Sequence, residues 1–203
     1  MSLFSDYKFN ESSGNALDSG PRQIHAAAVG SPGAVSGGGR SFVGNVSSFK
    51  VENWKAGTLG SHTLKFELWF EYGATQPDSW QELFCVRYPS VPGGSPAIHA
   101  VIEDYGNALR FNLYDEDASQ GNYKEVSLLG TDLIQAGKKY HLVCERDIDV
   151  LRITLNGHKI AEAACPATRH FNWADTPTLH LASDGTTAGG FSGNFYRLKI
   201  GVG

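Results

Sequence analysis

The sequence predicts an all-β protein that folds as one antiparallel β-sandwich. Three observations support this: apolar and polar residues alternate at a period of two, turn residues separate these runs, and no segment shows the 3.6-residue apolar period of a helix. The 203 residues include 24 Gly and 8 Pro, spread between the runs. All-β sandwiches of about this length are commonly single domains, so residues 1–203 are predicted to form one domain.

A hairpin in the segment 137–160 is the clearest single element. In its outgoing strand Leu151, Ile153 and Leu155 alternate with polar residues. The Asn-Gly pair at 156–157 then supplies the two positions of positive φ that a type I′ turn requires. This pattern predicts antiparallel strands with one face in the core and one face in water.

The other strands are predicted in chain order from the same alternation. They cover residues 4–9, 63–72, 82–88, 97–103, 108–114, 178–183 and 196–202. One side of these runs is apolar and forms the predicted core, which consists of Phe66, Leu68, Phe111, Leu113, Leu151, Ile153, Leu155, Leu198 and Ile200.

Composition excludes several classes of protein. The formal net charge of −4 and the pI of 5.9 provide no basic field for nucleic acid. No apolar run approaches the roughly 18 residues of a membrane span, so membrane insertion is not expected. The first residues show no signal peptide, which predicts synthesis in the cytoplasm and leaves open a final location in a virion or outside the cell.

Cysteine usage predicts reduced thiols rather than a disulfide scaffold. Three cysteines, Cys85, Cys144 and Cys165, cannot all pair within one chain. Cys85 and Cys144 lie in strand-like runs, where a free thiol behaves as a small core hydrophobe.

Three segments carry a family resemblance. Residues 7–20, YKFNESSGNALDSG, are similar to the first strand of a known family and to the Asp-Ser-x-Gly loop that follows it. Residues 62–70, HTLKFELWF, are similar to a later strand of the same family, with Trp69 at the position of its tryptophan. Residues 140–157 add a Tyr-His-Leu-Val run and an Arg-Ile-Thr-Leu-Asn-Gly hairpin. In this order the segments resemble the laminin-G-like branch of the concanavalin A-like lectin/glucanase superfamily.

The resemblance specifies the expected fold but not the expected function. It implies a jelly-roll of two curved antiparallel sheets, in which residues 193–201 close a sheet beside the first strand. The superfamily contains lectins, glycosidases, lyases and adhesion modules, so the site has to decide among these functions.

A catalytic carboxylate pair is not predicted. Glucanase members carry a Glu-x-Asp-x-Glu strand, and the nearest match here is Glu67 to Glu71, with Trp69 in place of the aspartate. Strand rise separates the two glutamates by roughly 13 Å. Glycosidases need about 5.5 Å or about 6.5 to 9.5 Å between their carboxyl groups. We therefore expect the protein not to be an enzyme.

Calcium is not favoured as a cofactor. Calcium-binding members carry acids in the last strand, where this chain has Phe-Tyr-Arg at 195–197, so Asp18 keeps only half of such a site. A second weak candidate begins at Asp115 and Asp117, but Gln120 stands where a calcium loop needs glycine. Val126 likewise replaces the glutamate that closes such a loop. No bound metal or other cofactor is expected.

Loop aromatics beside polar groups form the candidate ligand site. An aromatic plate contacts the apolar C–H face of a sugar, and nearby carboxylates or amides bind its hydroxyls. A loop aromatic is more often a lid over the core edge than a ligand platform, and Trp54 and Tyr105 are interpreted in this way. The candidate residues are Trp80, Tyr114, Asp115, Asp117, Tyr123 and Trp173.

Two functional hypotheses follow from these residues. The first is a non-catalytic carbohydrate-binding or adhesion module whose partner is a glycan or a cell-surface polysaccharide. The second is a structural interaction protein, such as a bacteriophage tail or decoration component. Both hypotheses are compatible with a homo-oligomer. A glycan-cleaving enzyme is disfavoured by the broken carboxylate motif.

Overall fold

The computed structural model is a sandwich of two antiparallel sheets. It describes residues 1–54, 63–74, 79–87, 97–114, 123–130, 132–165, 176–185 and 189–203, with only the backbone of Tyr114 and Tyr123. The strands are β1 Ser2–Tyr7, β2 Ala27–Gly30, β3 Gly33–Ala34, β4 Arg40–Phe42, β5 Ser47–Val51, β6 Thr63–Tyr72, β7 Trp80–Arg87, β8 Ile98–Glu103, β9 Ala108–Tyr114, β10 Tyr123–Leu129, β11 Lys139–Asp147, β12 Val150–Leu155, β13 His158–Ala164, β14 Thr178–Leu181 and β15 Gly193–Val202.

Each strand belongs to one of two sheets. Sheet I has the order β13-β12-β11-β6-β15-β4-β3, and sheet II has the order β10-β9-β8-β7-β14-β5-β2. Strand β15 pairs with β4 through its first residues and with β1 through its last ones, while β6 lies on its other side. The predicted adjacency of the first and last strands is therefore confirmed, as is the jelly-roll sandwich.

The core lies between the inner faces of the two sheets. All nine core residues predicted from the alternation are buried, with exposures of 8% or less. Phe66 of sheet I stacks on Phe84 of sheet II with ring centroids 4.2 Å apart, so aromatic packing joins the sheets directly. Trp54 is fully buried against Phe4 and Phe66, which assigns it to the core rather than to a ligand site.

Strand prediction was accurate where the alternation was long. The bounds of β6 and β9 match the sequence prediction, and the hairpin turn has φ of 51° at Asn156 and 82° at Gly157. Five strands, β2, β3, β4, β5 and β10, were not predicted. Four of them have only two to five residues, which is too short for a period of two to become visible.

No α-helix occurs among the described residues. Two three-residue 3₁₀ turns, Gly44–Val46 and Asp104–Gly106, are the helical elements in that part of the chain. In the described part of the chain, no helix has enough length and apolar character to cross a membrane. Tyr105, in the second turn, is 62% exposed and has a φ of 57°, so this aromatic is not a lid over the core.

All three cysteines are buried, and none of them forms a disulfide bond with another described cysteine. Cys144 and Cys165 belong to the central core. Cys85 is fully buried as well, at the register position between His99 and His180 in sheet II, which agrees with the prediction that it packs as a small buried hydrophobe. Burial raises the pKa of the Cys85 and Cys144 thiols, so both remain protonated at neutral pH.

Candidate functional site

Trp80 is the best described of the sequence-predicted ligand residues. It opens β7 and pairs with Glu103 of β8, so it lies in a strand and not in the predicted loop. Its side chain is 39% exposed, and its indole Nε1 donates a hydrogen bond to Glu82 Oε1 at 3.2 Å. The ring lies 6.0 Å from that of His99, between centroids.

A buried polar network lies next to Trp80 on sheet II. Glu82 Oε1 is 2.9 Å from His99 Nδ1, and His99 Nε2 is 2.7 Å from the side-chain amide of Asn112. With the amide oxygen assigned toward His99, the Asn112 nitrogen donates to Glu125 Oε2 at 3.2 Å. Glu82, His99 and Asn112 are at most 4% exposed, so the network stabilises the sheet and offers little surface to a ligand.

The remaining predicted ligand residues are only partly described. Tyr114 is the last residue of β9 and Tyr123 is the first residue of β10. The two are cross-strand partners, so the fold does bring their backbones together. Asp115, Asp117 and Trp173 lie outside the described residues. The site predicted from loop aromatics therefore stays a prediction.

Asp18 has a structural role in the loop after β1. Its carboxylate accepts hydrogen bonds from the backbone N–H groups of Asp6, Gly20 and Ile24, at 2.8, 2.8 and 3.1 Å. The side chain is buried, and these donors supply the partners that a buried carboxylate needs. Within the described ranges, no three His, Cys, Asp or Glu residues are arranged to hold a metal ion.

An open cleft of about 530 Å³ lies on the outer face of sheet I. We call it the Trp69 cleft. Strand β6 forms its floor between β11 and β15, because both strands pair with β6 along its length. The lining residues are Trp69, Phe70, Lys139, Tyr140, His141, Asn156, Tyr196 and Arg197.

Cross-strand pairing positions the aromatic groups of this cleft. Trp69 is opposite His141 on one side and Arg197 on the other. The Trp69 and His141 rings stack with centroids 4.3 Å apart and planes 10° apart, which fixes both side chains. Glu67 Oε1 lies 2.9 Å from His141 Nε2 and orients the imidazole further.

Tyr196 enters the cleft because of an irregularity in β15. The register with β6 shifts between Phe195 and Arg197, so Tyr196 is an extra residue in the strand. Gly39 approaches it closely: a Cβ at Gly39 would lie 2.8 Å from Tyr196 Cδ1, and the φ of 115° also requires glycine. The run of glycines at 37–39 thus includes one position of close backbone approach.

Hydrogen bonding and burial hold Tyr196 in its neutral form. Its hydroxyl donates to Glu71 Oε2 at 2.5 Å. Burial and this carboxylate raise the pKa of Tyr196 to about 12, so the phenol stays protonated at physiological pH.

Cations lie over the aromatic rings of the cleft. The Lys199 ammonium is 5.1 Å and the Arg197 guanidinium 5.8 Å from the centroid of Trp69, and the Lys139 ammonium is 4.6 Å from that of Tyr196. Arg197 also forms two hydrogen bonds with Asp6, at 2.9 and 2.8 Å. The hydrogen bond to Arg197 lowers the pKa of Asp6, so this pair is ionised at neutral pH.

Sequence reasoning did not select this cleft. The alternation of β6 correctly placed Glu67, Trp69 and Glu71 on the solvent side, where they are half-buried. A tryptophan on a wet strand face was the available signal. The sequence assigns Trp69 to the tryptophan of the family strand pattern and to the position of the missing aspartate, and not to a ligand site, because its neighbours on β11 and β15 depend on strand order.

Comparison with known proteins establishes the fold. No family model matches the sequence, and no curated protein matches it either. Among solved structures, the receptor-binding domain of botulinum neurotoxin mosaic serotype C/D superimposes with a TM-score of 0.72 at 10% identity, covering 98% of this chain and 47% of that chain. The chain thus spans about half the length of the toxin domain.

Two other similar structures come from sialidases. Trypanosoma rangeli sialidase in complex with sialic acid matches 98% of this chain and 30% of its own, with a TM-score of 0.69 at 13% identity. The CBM40 of Ruminococcus gnavus IT-sialidase, bound to α2,3-sialyllactose, matches 70% of this chain and 76% of its own, with a TM-score of 0.56 at 15% identity. At these identities the likeness shows the shared β-sandwich, and the laminin-G-like assignment stays a prediction.

Proposed function

We propose that the protein is a non-catalytic, lectin-like module that binds a glycan in the Trp69 cleft. The observation that carries this proposal is the cleft itself: an open site of about 530 Å³ with aromatic walls and a polar rim. Its volume lies within the roughly 300 to 1,000 Å³ of typical small-ligand sites.

The chemistry of the lining suits a sugar. Trp69 and Tyr196 offer apolar surface to C–H groups, while Asn156 and the cations at the rim offer hydrogen-bond donors to hydroxyl and ring oxygens. The stack of Trp69 on His141 keeps the main aromatic wall in one orientation, so little side-chain entropy is lost when a ligand binds.

The similar structures support a binding role. Their descriptions name receptor-binding domains of neurotoxins and a carbohydrate-binding module holding sialyllactose. Proteins that share a fold can have different functions. The binding roles of the similar structures therefore support the proposal only in combination with the cleft.

Catalysis is not part of the proposal. Glu67 and Glu71, the nearest match to a glucanase pair, are engaged by His141 and Tyr196 respectively. A glycosidase needs two carboxyl groups that flank one glycosidic bond. Here Trp69 lies between the two glutamates on β6 and separates them.

A glycan array with four proteins, the wild type and three variants, tests the proposal. The wild type should bind defined sugars, Trp69→Ala should lose that binding, and Trp69→Phe should retain part of it because an aromatic wall remains. Trp80→Ala is the matched control, since it removes a half-exposed tryptophan from sheet II, and it should bind as the wild type does. Thermal unfolding of each variant confirms that the fold is intact.

Two outcomes would contradict the proposal. Loss of binding in Trp80→Ala alone would favour the site predicted from loop aromatics on sheet II. Silence of the wild type on the array, together with stable trimers in solution, would favour the alternative of a virion component.

A further inference from the structure

We propose that the Trp69 cleft selects sugars that carry a carboxylate group. This inference rests on the proposed glycan-binding function and specifies the ligand class. It comes from a difference between the charged groups of the cleft: its carboxylates are bound by polar groups of the protein, while two ammonium groups contact aromatic rings and form no ion pair among the described residues.

The two ammonium groups belong to lysines on either side of β6. Lys139 on β11 lies over the Tyr196 ring at 4.6 Å, and Lys199 on β15 lies over the Trp69 ring at 5.1 Å. Across the described part of the chain, neither lysine has a carboxylate within ion-pair distance. The aromatic faces hold both charges at the cleft while leaving their N–H donors for a ligand.

The acids around the cleft are already engaged. Glu67 faces His141 at 2.9 Å and Lys65 at 3.8 Å, and Glu71 accepts the Tyr196 hydroxyl. Asp6 holds Arg197 through two hydrogen bonds. The protein therefore presents its carboxylates to its own side chains rather than to the open cleft.

The remaining polar groups of the lining are mainly donors. The side-chain oxygen of Asn156 accepts a hydrogen bond from the backbone N–H of His141 at 2.9 Å, so its NH₂ group is the part of the amide that can donate to a ligand. Arg197 bonds Asp6 through Nε and Nη2, and Nη1 has no partner among the residues that the structure describes. Donors need acceptors, and a carboxylate is the strongest acceptor that a sugar carries.

The local charge is more favourable to an anion than the charge of the protein as a whole. Lys139, Arg197 and Lys199 lie at the cleft together with the three carboxylates of Glu67, Glu71 and Asp6, so their formal charges balance. The whole chain has a formal net charge of −4, so this face is less negative than the protein average. A negatively charged ligand is therefore repelled less at this face than elsewhere.

Calorimetric titration with matched acidic and neutral sugars tests the inference. The probes are sialyllactose against lactose, and a uronic-acid oligosaccharide against its neutral counterpart. At least one acidic sugar should bind the wild type about tenfold or more tightly than its neutral partner, because a charge-assisted hydrogen bond contributes that much. Raising the salt concentration should weaken the acidic sugar selectively.

Lysine variants connect the preference to the cleft. Lys139→Gln and Lys199→Gln should each reduce affinity for the acidic sugar by about tenfold while changing the neutral sugar by less than about twofold. Lys159→Gln is the control, because this exposed lysine lies on β13 of the same sheet and pairs with Glu162. It should leave both affinities unchanged.

The outcomes separate this inference from the proposed function. Equal binding of acidic and neutral sugars, lost in Trp69→Ala, would overturn the acidic preference and keep the glycan-binding function. An acidic preference that survives both lysine substitutions would also overturn the inference. Absence of binding to every sugar would refute the proposed function itself and the inference with it.

Discussion

The half-buried imidazole of His180 should make the stability of the protein depend on pH. His180 lies in β14 between Cys85 of β7 and Lys50 of β5. Burial, together with the nearby cations Arg87 and Lys50, lowers the pKa of His180 to about 4, and Asp184 acts in the opposite direction. In the unfolded chain the same group titrates near 6.5.

The sign and size of the effect follow from proton linkage. Between these two pKa values the unfolded chain binds a proton that the native protein does not, so the free energy of unfolding falls as the pH falls. For one such histidine the loss between about pH 7.5 and about pH 4.5 is at most about 2.5 kcal/mol. The stability is fully present above the unfolded pKa and is lost on acidification.

Urea unfolding followed by tryptophan fluorescence measures this term. The difference between wild type and His180→Gln isolates His180 from the other titrating groups, and His158→Gln is the control because His158 is exposed. Between about pH 7.5 and about pH 4.5, the free energy of unfolding of His180→Gln should fall by up to about 2.5 kcal/mol less than that of the wild type. Identical pH dependence in wild type and His180→Gln would refute the reasoning.

Three further predictions concern the core, the Asp6–Arg197 pair and metal binding. Ile153→Ala should lower the free energy of unfolding by about 2 to 5 kcal/mol, and a loss below about 1 kcal/mol would mean that the side chain faces water. Asp6→Asn should cost about 1 to 3 kcal/mol at neutral pH, because it removes charge-assisted hydrogen bonds from a buried carboxylate to the half-exposed Arg197. The gap should close as acid protonates the wild-type carboxyl below about pH 4, and a gap that persists there would contradict the pairing. Millimolar calcium should leave the melting temperature unchanged; a rise of several degrees, abolished by Asp18→Ala or Asp115→Ala, would contradict the metal-free expectation.

Sequence pattern was sufficient for the parts of the fold that rest on long strands. In β6 and β12 the alternation runs through six or more residues, and it identified the buried face at Phe66, Leu68 and Ile153. It was insufficient for residues 21–54, where four short strands contain Ser, Gly and Ala. Their pairing partners, and not their own sequences, make them strands.

The candidate cleft could not be predicted because it depends on strand order and on one extra residue in a strand. His141, Trp69 and Arg197 are far apart in the chain and become neighbours only because β6 lies between β11 and β15. Tyr196 joins them through a register shift that no residue pattern signals. The identities of the side chains were available from the sequence, but their proximity was not.

A crystal structure of the protein with the tightest-binding sugar from the array tests the central claim most directly. The account predicts a sugar in the Trp69 cleft, in contact with Trp69 and Tyr196, with its carboxylate bound by Lys139, Lys199 or both. A sugar bound beside Trp80 on sheet II, with the Trp69 cleft empty, would contradict the account.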